Sequence, residues 1–401
     1  KEDQWDMVQR LSITPGGTPL ENLYFGMYVS VHDNDIVVGC PYARTCAGKA
    51  EYRTRRDPIC EGGVEAAGAV VTYTRESNDR WKCTGTLTLP EMAAYDFFGQ
   101  SVFVTSSAMG DRLVAGAYGR DVNGTRDAGA VYTFSRAGDG KWQFDQELTA
   151  ASPAEKAFFG ISLVGNSNGD TLLVGATGEA AGDFEDAGAA YVFNLNTKGA
   201  FDEHTRLAPT DPRDRGGFGQ SVTLYDDTIV IGSKGLVDTS HSGHSNGSAI
   251  TMFRLGMDDG TWAPRAQVED PHAFGSHFGY TVSMRGSTTA VGAPFTKSGS
   301  MASWFQGTLA SRPKSTEFRV HGSVVILEEE QASQPQLDDD GCWDNEGHHS
   351  SGEPSWDPLT GQEVKPGFCF PRVFLLGAQK AATTSMFELV HDLGMACPAN
   401  T

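Results

Sequence analysis

Residues 158–193 read FFGISLVGNSNGDTLLVGATGEAAGDFEDAGAAYVF. Phe159-Gly160 opens a short run, and Asn166-Ser-Asn-Gly-Asp reverses the chain with residues that tolerate positive φ. Thr171–Ala176 is apolar almost throughout, the pattern of a strand buried on both faces. A Gly- and Asp-rich loop leads to a third run, Ala189–Phe193, and Phe201–Leu207 supplies a fourth. Four short strands joined by turns make one antiparallel sheet.

The unit repeats along the chain. The aromatic–glycine pair recurs as Phe25-Gly26, Phe98-Gly99, Phe159-Gly160, Phe218-Gly219 and Phe278-Gly279, with the phenylalanines 73, 61, 59 and 60 residues apart. The run ending in Gly and a small residue returns as IVVGCP, LVAGAY, LLVGAT, IVIGSK and TAVGAP. The third strand returns as GAVVTY from Gly68, GAVYTF from Gly129, GAAYVF from Gly188, GSAITMF from Gly247 and GSVVIL from Gly322. Fourth strands fall at Trp81–Leu87, Trp142–Leu148, Phe201–Leu207 and Trp262–Val268. Five such copies predict an all-β fold, a five-bladed β-propeller over residues 1–327. Residues 5–11, WDMVQRL, match the fourth-strand pattern but precede the first pair, and the last copy has no fourth strand. Pairing residues 5–11 beside 322–327 would close the ring and remove its open edges. The rival arrangement is a seven-bladed ring with two blades upstream.

These copies resemble the FG-GAP repeats of integrin α-subunits, and more closely the shorter variant of algal and bacterial extracellular proteins. The resemblance implies a propeller in which each Phe wedges between sheets and each paired Gly lets the inner strand crowd the channel. Integrin blades hold calcium on an Asp-x-Asp-x-Asp-Gly loop between their first two strands. The corresponding connections here are HDND, SSAMGD, GNSNGD, YDD and RGS. The nearest approach, Asn166, Asn168 and Asp170, has one carboxylate among three, too few for a hard cation. They read as tight hairpins, and no metal site is expected. Longer loops follow the second strands, at Asp121-Val-Asn-Gly, Asp183-Phe-Glu-Asp and Ser240-His-Ser-Gly-His, on the face where propellers usually meet partners. His241 and His244 have a metal-like spacing but no carboxylate or Cys to complete a shell. The expected partner of this face is a carbohydrate or protein ligand.

A net charge of −20, with no basic run, excludes nucleic acid, whose phosphates need clustered Lys and Arg. No apolar run is long enough to span a membrane. The chain begins at Lys1 and stops at Thr401, and both ends read as truncated, so a signal or membrane anchor would lie upstream. Cys40, Cys46, Cys60 and Cys83 crowd the first copy, which predicts two disulfides of open connectivity. Asn123-Gly-Thr and Asn246-Gly-Ser are glycosylation sequons. Both features point to the secretory pathway (Golgi lumen) or the cell exterior.

Composition changes after Leu327. Residues 328–370 are acidic, Pro-rich and patternless, a linker in which His348 and His349 face solvent. Then Val373-Phe-Leu-Leu reads as a buried strand and Gly377-Ala-Gln-Lys-Ala-Ala-Thr-Thr-Ser as a tight loop. Met386, Leu389, Val390 and Leu393 follow at helical spacing, with Ser385 and Glu388 as a capping box. Strand, small-residue loop with one Lys, and Thr/Ser-headed helix form an anion cradle, in which backbone N–H groups face the anion and Lys neutralises its charge. The string PRVFLLGAQKAATTSMFEL is similar to the 5′-phosphosulfate loop of sulfotransferases that use 3′-phosphoadenosine 5′-phosphosulfate (PAPS), especially the Golgi carbohydrate enzymes. That resemblance makes residues 371–401 the start of a sulfotransferase domain, an α/β, P-loop-like strand-loop-helix. It places Lys380 on the transferring sulfonate, and Thr383, Thr384 and Ser385 on the 5′-phosphate, with Gly377, Ala381 and Ala382 lining the cradle. Family members often have Gly where Ala382 stands. The 3′-phosphate site, the base and the acceptor groove are not in these residues, so the 401-residue chain is expected to be inactive alone. Two functions follow: a propeller-bearing PAPS-dependent sulfotransferase acting on a hydroxyl acceptor, a carbohydrate as the resemblance implies, with the propeller as recognition module, or an extracellular adhesion or ligand-binding propeller without enzymatic activity.

Overall fold

The computed structural model describes residues 9–11, 24–44, 64–89, 91–107, 110–237, 245–246, 248–270, 276–295 and 323–328. They form a five-bladed, all-β propeller. Blade 1 is β1 (Tyr28–His32), β2 (Asp35–Cys40), β3 (Ala69–Arg75) and β4 (Trp81–Leu87). Blade 2 is β5 (Ser101–Ser107), β6 (Gly110–Ala117), β7 (Ala130–Arg136) and β8 (Trp142–Leu148). Blade 3 is β9 (Phe159–Gly165), β10 (Thr171–Ala176), β11 (Ala189–Leu195) and β12 (Phe201–Leu207). Blade 4 is β13 (Phe218–Tyr225), β14 (Thr228–Ser233), β17 (Ala249–Leu255) and β18 (Trp262–Glu269), with a small ladder, β15 (Leu236–Val237) and β16 (Ser245–Asn246), in its loop. Blade 5 is three-stranded: β19 (Thr281–Arg285), β20 (Thr288–Ala293) and β21 (Ser323–Glu328). Strands in each blade pair in chain order, as the repeat pattern predicts.

Burial explains the two periods in the sequence. Second and third strands are covered on both faces, so Leu172, Leu173, Val174 and Ala176 are all 1% exposed or less. Outer strands are largely exposed: β12 buries only its two ends, Phe201 and Leu207, and β8 only Leu148. Phe98, Phe159, Phe218 and Phe278 are each fully buried. Phe159 meets the edges of Tyr191 and Phe193 at 5.4 and 5.9 Å, and Phe98 packs likewise on Tyr132 and Phe134 at 5.8 and 6.2 Å. Each such ring contributes about 1.5–3 kcal/mol by burial alone.

Glycine decides how closely blades approach. Gly160 and Gly219 have φ of +88 and +90 and aim their carbonyls at the neighbouring inner strand. A Cβ on Gly116 or Gly175 would lie under 3.0 Å from those carbonyl oxygens, so the second-strand glycine is sterically required. The same approach brings Ser101 Oγ to the Gly160 carbonyl at 2.7 Å, Ser162 Oγ to Gly219 at 2.7 Å and Ser221 Oγ to Gly279 at 2.8 Å. A repeated hydroxyl–carbonyl bond thus fastens each of these blades to the next.

Gln146 on β8 bonds the backbone of Phe201 in both directions, at 2.9 Å each. Gln9 does the same to Trp81, donating to its carbonyl at 2.8 Å and accepting from its N–H at 2.9 Å. Leu11 packs on the blade 1 core beside Phe25 and Trp81. Residues 9–11 therefore hold, against blade 1, the place that a preceding blade's outer strand holds elsewhere. Residues 5–8 and Gly322 of the expected closure lie outside the described residues. The inner strand of blade 1 differs from its counterparts: Val29 and Val31 are 51% and 58% exposed, against 9% and 3% for Val102 and Val104.

The expected hairpins form. Asp33 at φ 47, Asp226 at φ 50 and Gly286 at φ 58 turn β1–β2, β13–β14 and β19–β20. In the longer turn, Asn166 accepts from the N–H groups of Asp170 and Thr171 at 3.1 and 3.2 Å, so it serves the turn itself. The disulfide expectation is corrected in part. Cys40 and Cys83 are free thiols, Cys40 buried at the end of β2 and Cys83 exposed on the outer strand β4. Cys46 and Cys60 lie outside the described residues.

Candidate ligand-binding face

Antiparallel order gathers three kinds of connection at one end of the ring: the Phe-Gly turns, the loops after second strands, and the links between blades. The opposite end carries the short hairpins. At the loop end the residue before each Phe-Gly pair takes a left-handed backbone: Tyr24 (φ 52), Phe97 (55), Phe158 (56), Gly217 (62) and His277 (54). The cause is hydrogen bonding to the preceding blade. Phe97 N donates to Ala66 O at 3.1 Å, Phe158 N to Asp127 O at 3.2 Å and Gly217 N to Asp186 O at 3.0 Å. The turn buries the Phe of the pair and turns the residue before it toward the loops.

The result is an arc of aromatic side chains across blades 1–3. Ring centroids stand 4.6 Å apart for Tyr24–Tyr42, 5.2 Å for Tyr42–Phe97, 4.9 Å for Phe97–Tyr118 and 5.8 Å for Tyr118–Phe158. Phe97 and Tyr118 are stacked, with 6° between their planes. Tyr95 joins Phe97 at 6.0 Å and donates its hydroxyl to Glu65 at 3.1 Å. Tyr24, Tyr42 and Tyr95 are 54%, 40% and 50% exposed. Burial, with the nearby Tyr42 and Asp127, pushes the Tyr118 hydroxyl up to about 12, so it stays a donor at neutral pH. In blades 4 and 5 the equivalent turns carry Gly217, beside the Lys234 side chain, and His277, which meets Phe295 at 5.0 Å. Burial lowers the Lys234 ammonium from its usual range, against the pull of Asp186.

Behind the arc two charge networks brace the loops. Asp96, 1% exposed, pairs with Arg120 at 3.0 Å and accepts the Ala93 N–H at 2.8 Å. In blade 3 the position of Arg120 is held by Glu179, which pairs with Arg206 at 2.6 Å and takes the Tyr191 hydroxyl. Neighbouring blades thus use the same frame with opposite charge. The predicted partner loops close as miniature hairpins: Val122 and Thr125 exchange bonds of 3.0 and 2.8 Å, and Ala181 and Phe184 bonds of 3.1 and 3.3 Å. Asn123 of the first sequon stands exposed at such a tip, at φ 52. A cavity of about 50 Å³ beside Arg213, Glu269 and Asp270 has room for a water or two.

Among the described residues no group of three or more His, Cys, Asp or Glu gathers to hold a metal ion, and no helix is long and apolar enough to cross a membrane. His241, His244 and the cradle residues Gly377, Lys380, Ala381, Ala382, Thr383, Thr384 and Ser385 lie outside the described residues. The aromatic arc is the feature that reading by repeats passes over. Its signal is the residue before each pair: Tyr-Phe-Gly, Phe-Phe-Gly and Phe-Phe-Gly in the first three copies, then Gly-Phe-Gly and His-Phe-Gly.

Five sheets of matching order, each opened by a Phe and a left-handed Gly, with the Phe fully buried in four of them, define a repeat-built propeller. The FG-GAP repeat family model matches residues 81–134, 142–193 and 201–250, each match running from one blade's outer strand to the next blade's third. The chain carries FG-GAP repeats. No curated protein matches it.

Proposed function

We propose that the propeller is a ligand-binding module whose recognition face is the loop end of the ring. The observation that carries this reading is the concentration of exposed aromatic residues there, on turns held by hydrogen bonds from the neighbouring blade. The exposed sequon tip at Asn123 supports a place in the secretory pathway or outside the cell. The expected partner is a carbohydrate or a protein. The test screens the 401-residue chain against immobilised glycans and extracellular proteins, then repeats each hit with Glu185→Lys at the loop end and Asp79→Lys at the hairpin end. Glu185→Lys should abolish binding and Asp79→Lys should leave it intact. The reverse result would overturn the assignment of the face.

A second reading rests on the string PRVFLLGAQKAATTSMFEL. It makes the propeller the recognition module of a PAPS-dependent sulfotransferase, with the donor phosphosulfate at Gly377–Ser385 and Lys380 on the bridging oxygen where charge develops. A radiolabelled-donor assay on a longer protein that includes this segment tests it. Lys380→Ala should lower turnover by roughly 100-fold or more, and Thr384→Ala should weaken donor binding more than turnover. Indifference to the loss of Lys380 would return the segment to an ordinary strand-loop-helix.

A further inference from the structure

We infer that the arc formed by Tyr24, Tyr42 and Tyr95 around Phe97 is a binding site for a neutral saccharide. The inference rests on the ligand-binding reading and names its ligand class. Three independent observations carry it: strain, exposure and charge.

A left-handed backbone costs an L-residue about 1–2 kcal/mol, and a bulky one is least at ease there. Tyr24, Tyr95, Phe97 and Phe158 all bear it. The turn does not need their rings: blade 4 has Gly217 where Phe97 stands and Arg215 where Tyr95 stands, with the same hydrogen bonds to its neighbour. Burial does not offset the strain either, since Tyr24 and Tyr95 are about half exposed. Aromatic residues held at strained, exposed positions that glycine would fill more easily mark a contact surface.

The chemistry of that surface is specific. Each tyrosine offers a flat apolar face and a hydroxyl at its edge. Glu65 sits at the Tyr95 hydroxyl, and Asp127 lies close enough to Tyr118 to raise its pKa. A pyranose ring is built to match: C–H groups cover one face, and hydroxyls around the rim donate to carboxylates and accept from phenols. The carboxylates flanking the arc, in a chain of net charge −20, repel sulfate, phosphate and uronate groups. Among the described residues Arg120 is paired with Asp96, Arg126 with Asp127 at 3.2 Å and Lys156 with Glu155 at 4.0 Å. The ligand that fits is therefore uncharged.

The test is affinity electrophoresis of the 401-residue chain through native gels containing hydroxyethylcellulose, a β-1,3-glucan or an α-mannan, with carboxymethylcellulose as the anionic control. At least one neutral gel should retard the chain, and carboxymethylcellulose should not. Tyr42→Ser and Tyr95→Ser should each weaken that retardation by roughly tenfold or more, the scale of an aromatic anchor. Tyr225→Ser, which removes an exposed tyrosine at the hairpin end, should leave it unchanged. Circular dichroism confirms that each variant keeps its fold. Free passage through all three neutral gels, retardation by the anionic gel alone, or equal losses in all three variants would overturn the assignment. A chain that binds a protein through its loop end yet runs unretarded would refute the saccharide site and leave the ligand-binding reading standing.

Discussion

Replacing Gly175 by Ala tests the packing principle of the ring. The added methyl would lie under 3.0 Å from both the Gly219 carbonyl oxygen and Ser162 Oγ. Neither can retreat cheaply, because the first is backbone of the neighbouring blade and the two are hydrogen-bonded to each other at 2.7 Å. Overpacking of a tight interior costs about 1–3 kcal/mol, and loss of the bond adds about 0.5–1.5. A total of about 2–4 kcal/mol, at roughly 2–4 °C per kcal/mol for a domain of this order of size, lowers the unfolding midpoint by about 5–15 °C. The matched control is Gly85→Ala on the outer strand β4, where the nearest atom to an added methyl is Thr72 Oγ1 at 3.4 Å. That change should stay within about 0.5 kcal/mol of the parent. Thermal unfolding followed by far-ultraviolet circular dichroism reads both. If the two variants melt together, close approach of neighbouring inner strands is not what selects glycine at this position.

Gln9→Ala and Gln146→Ala should each lower the midpoint by a few degrees, since each removes two side-chain bonds to a neighbouring outer strand at about 1 kcal/mol apiece; a silent Gln9→Ala would mean that the N-terminal segment does not act as an outer strand. In the native chain at pH 8, Cys83 should react with a disulfide reagent while Cys40 does not, because burial pushes the Cys40 thiol up to about 12 and leaves no thiolate to attack. Mass mapping of label on Cys40 before unfolding would contradict this. Burial holds His277 below the ordinary imidazole value near 6.5. As pH falls from 7 to 5 the unfolded state therefore takes up a proton that the folded state resists, and stability declines. His277→Gln should make that decline shallower in a pH series of melting curves, and an unchanged slope would count against it.

Much of the fold is legible in the sequence because one dipeptide bears two constraints at once. The Phe must be large enough to fill the space between sheets, and the Gly must adopt a φ near +90 beneath a neighbouring carbonyl. Few other residue pairs satisfy both, so the pair persists and fixes the register of everything between. The third strands begin one residue after Gly68, Gly129 and Gly188, where the repeat pattern puts them. Cysteine pairing was less legible. Four cysteines in one copy imply proximity, but Cys40 ends a buried second strand, whereas Cys83 lies on the outer strand in register with Tyr73. Counting along the chain does not register that Tyr73 and its strand stand between them.

The aromatic arc of the proposed recognition face was hidden for a different reason. Phe97 and Phe98 are adjacent and chemically identical, so residue type alone does not tell which of them fills the core. What separates them is the sign of one dihedral. Phe98 is fully buried between sheets, while Phe97, at φ 55, is turned to stack on Tyr118 at the loop end. That sign is imposed by the Ala66 carbonyl of the preceding blade, a residue more than thirty positions away in the chain. A local pattern contains no trace of such a partner. The trace it does contain lies in the comparison between copies: the position before the pair is Tyr, Phe and Phe in three blades but Gly in the fourth. A position that accepts glycine has no packing need for a ring, which is the ground for proposing that the rings at its equivalents meet a ligand.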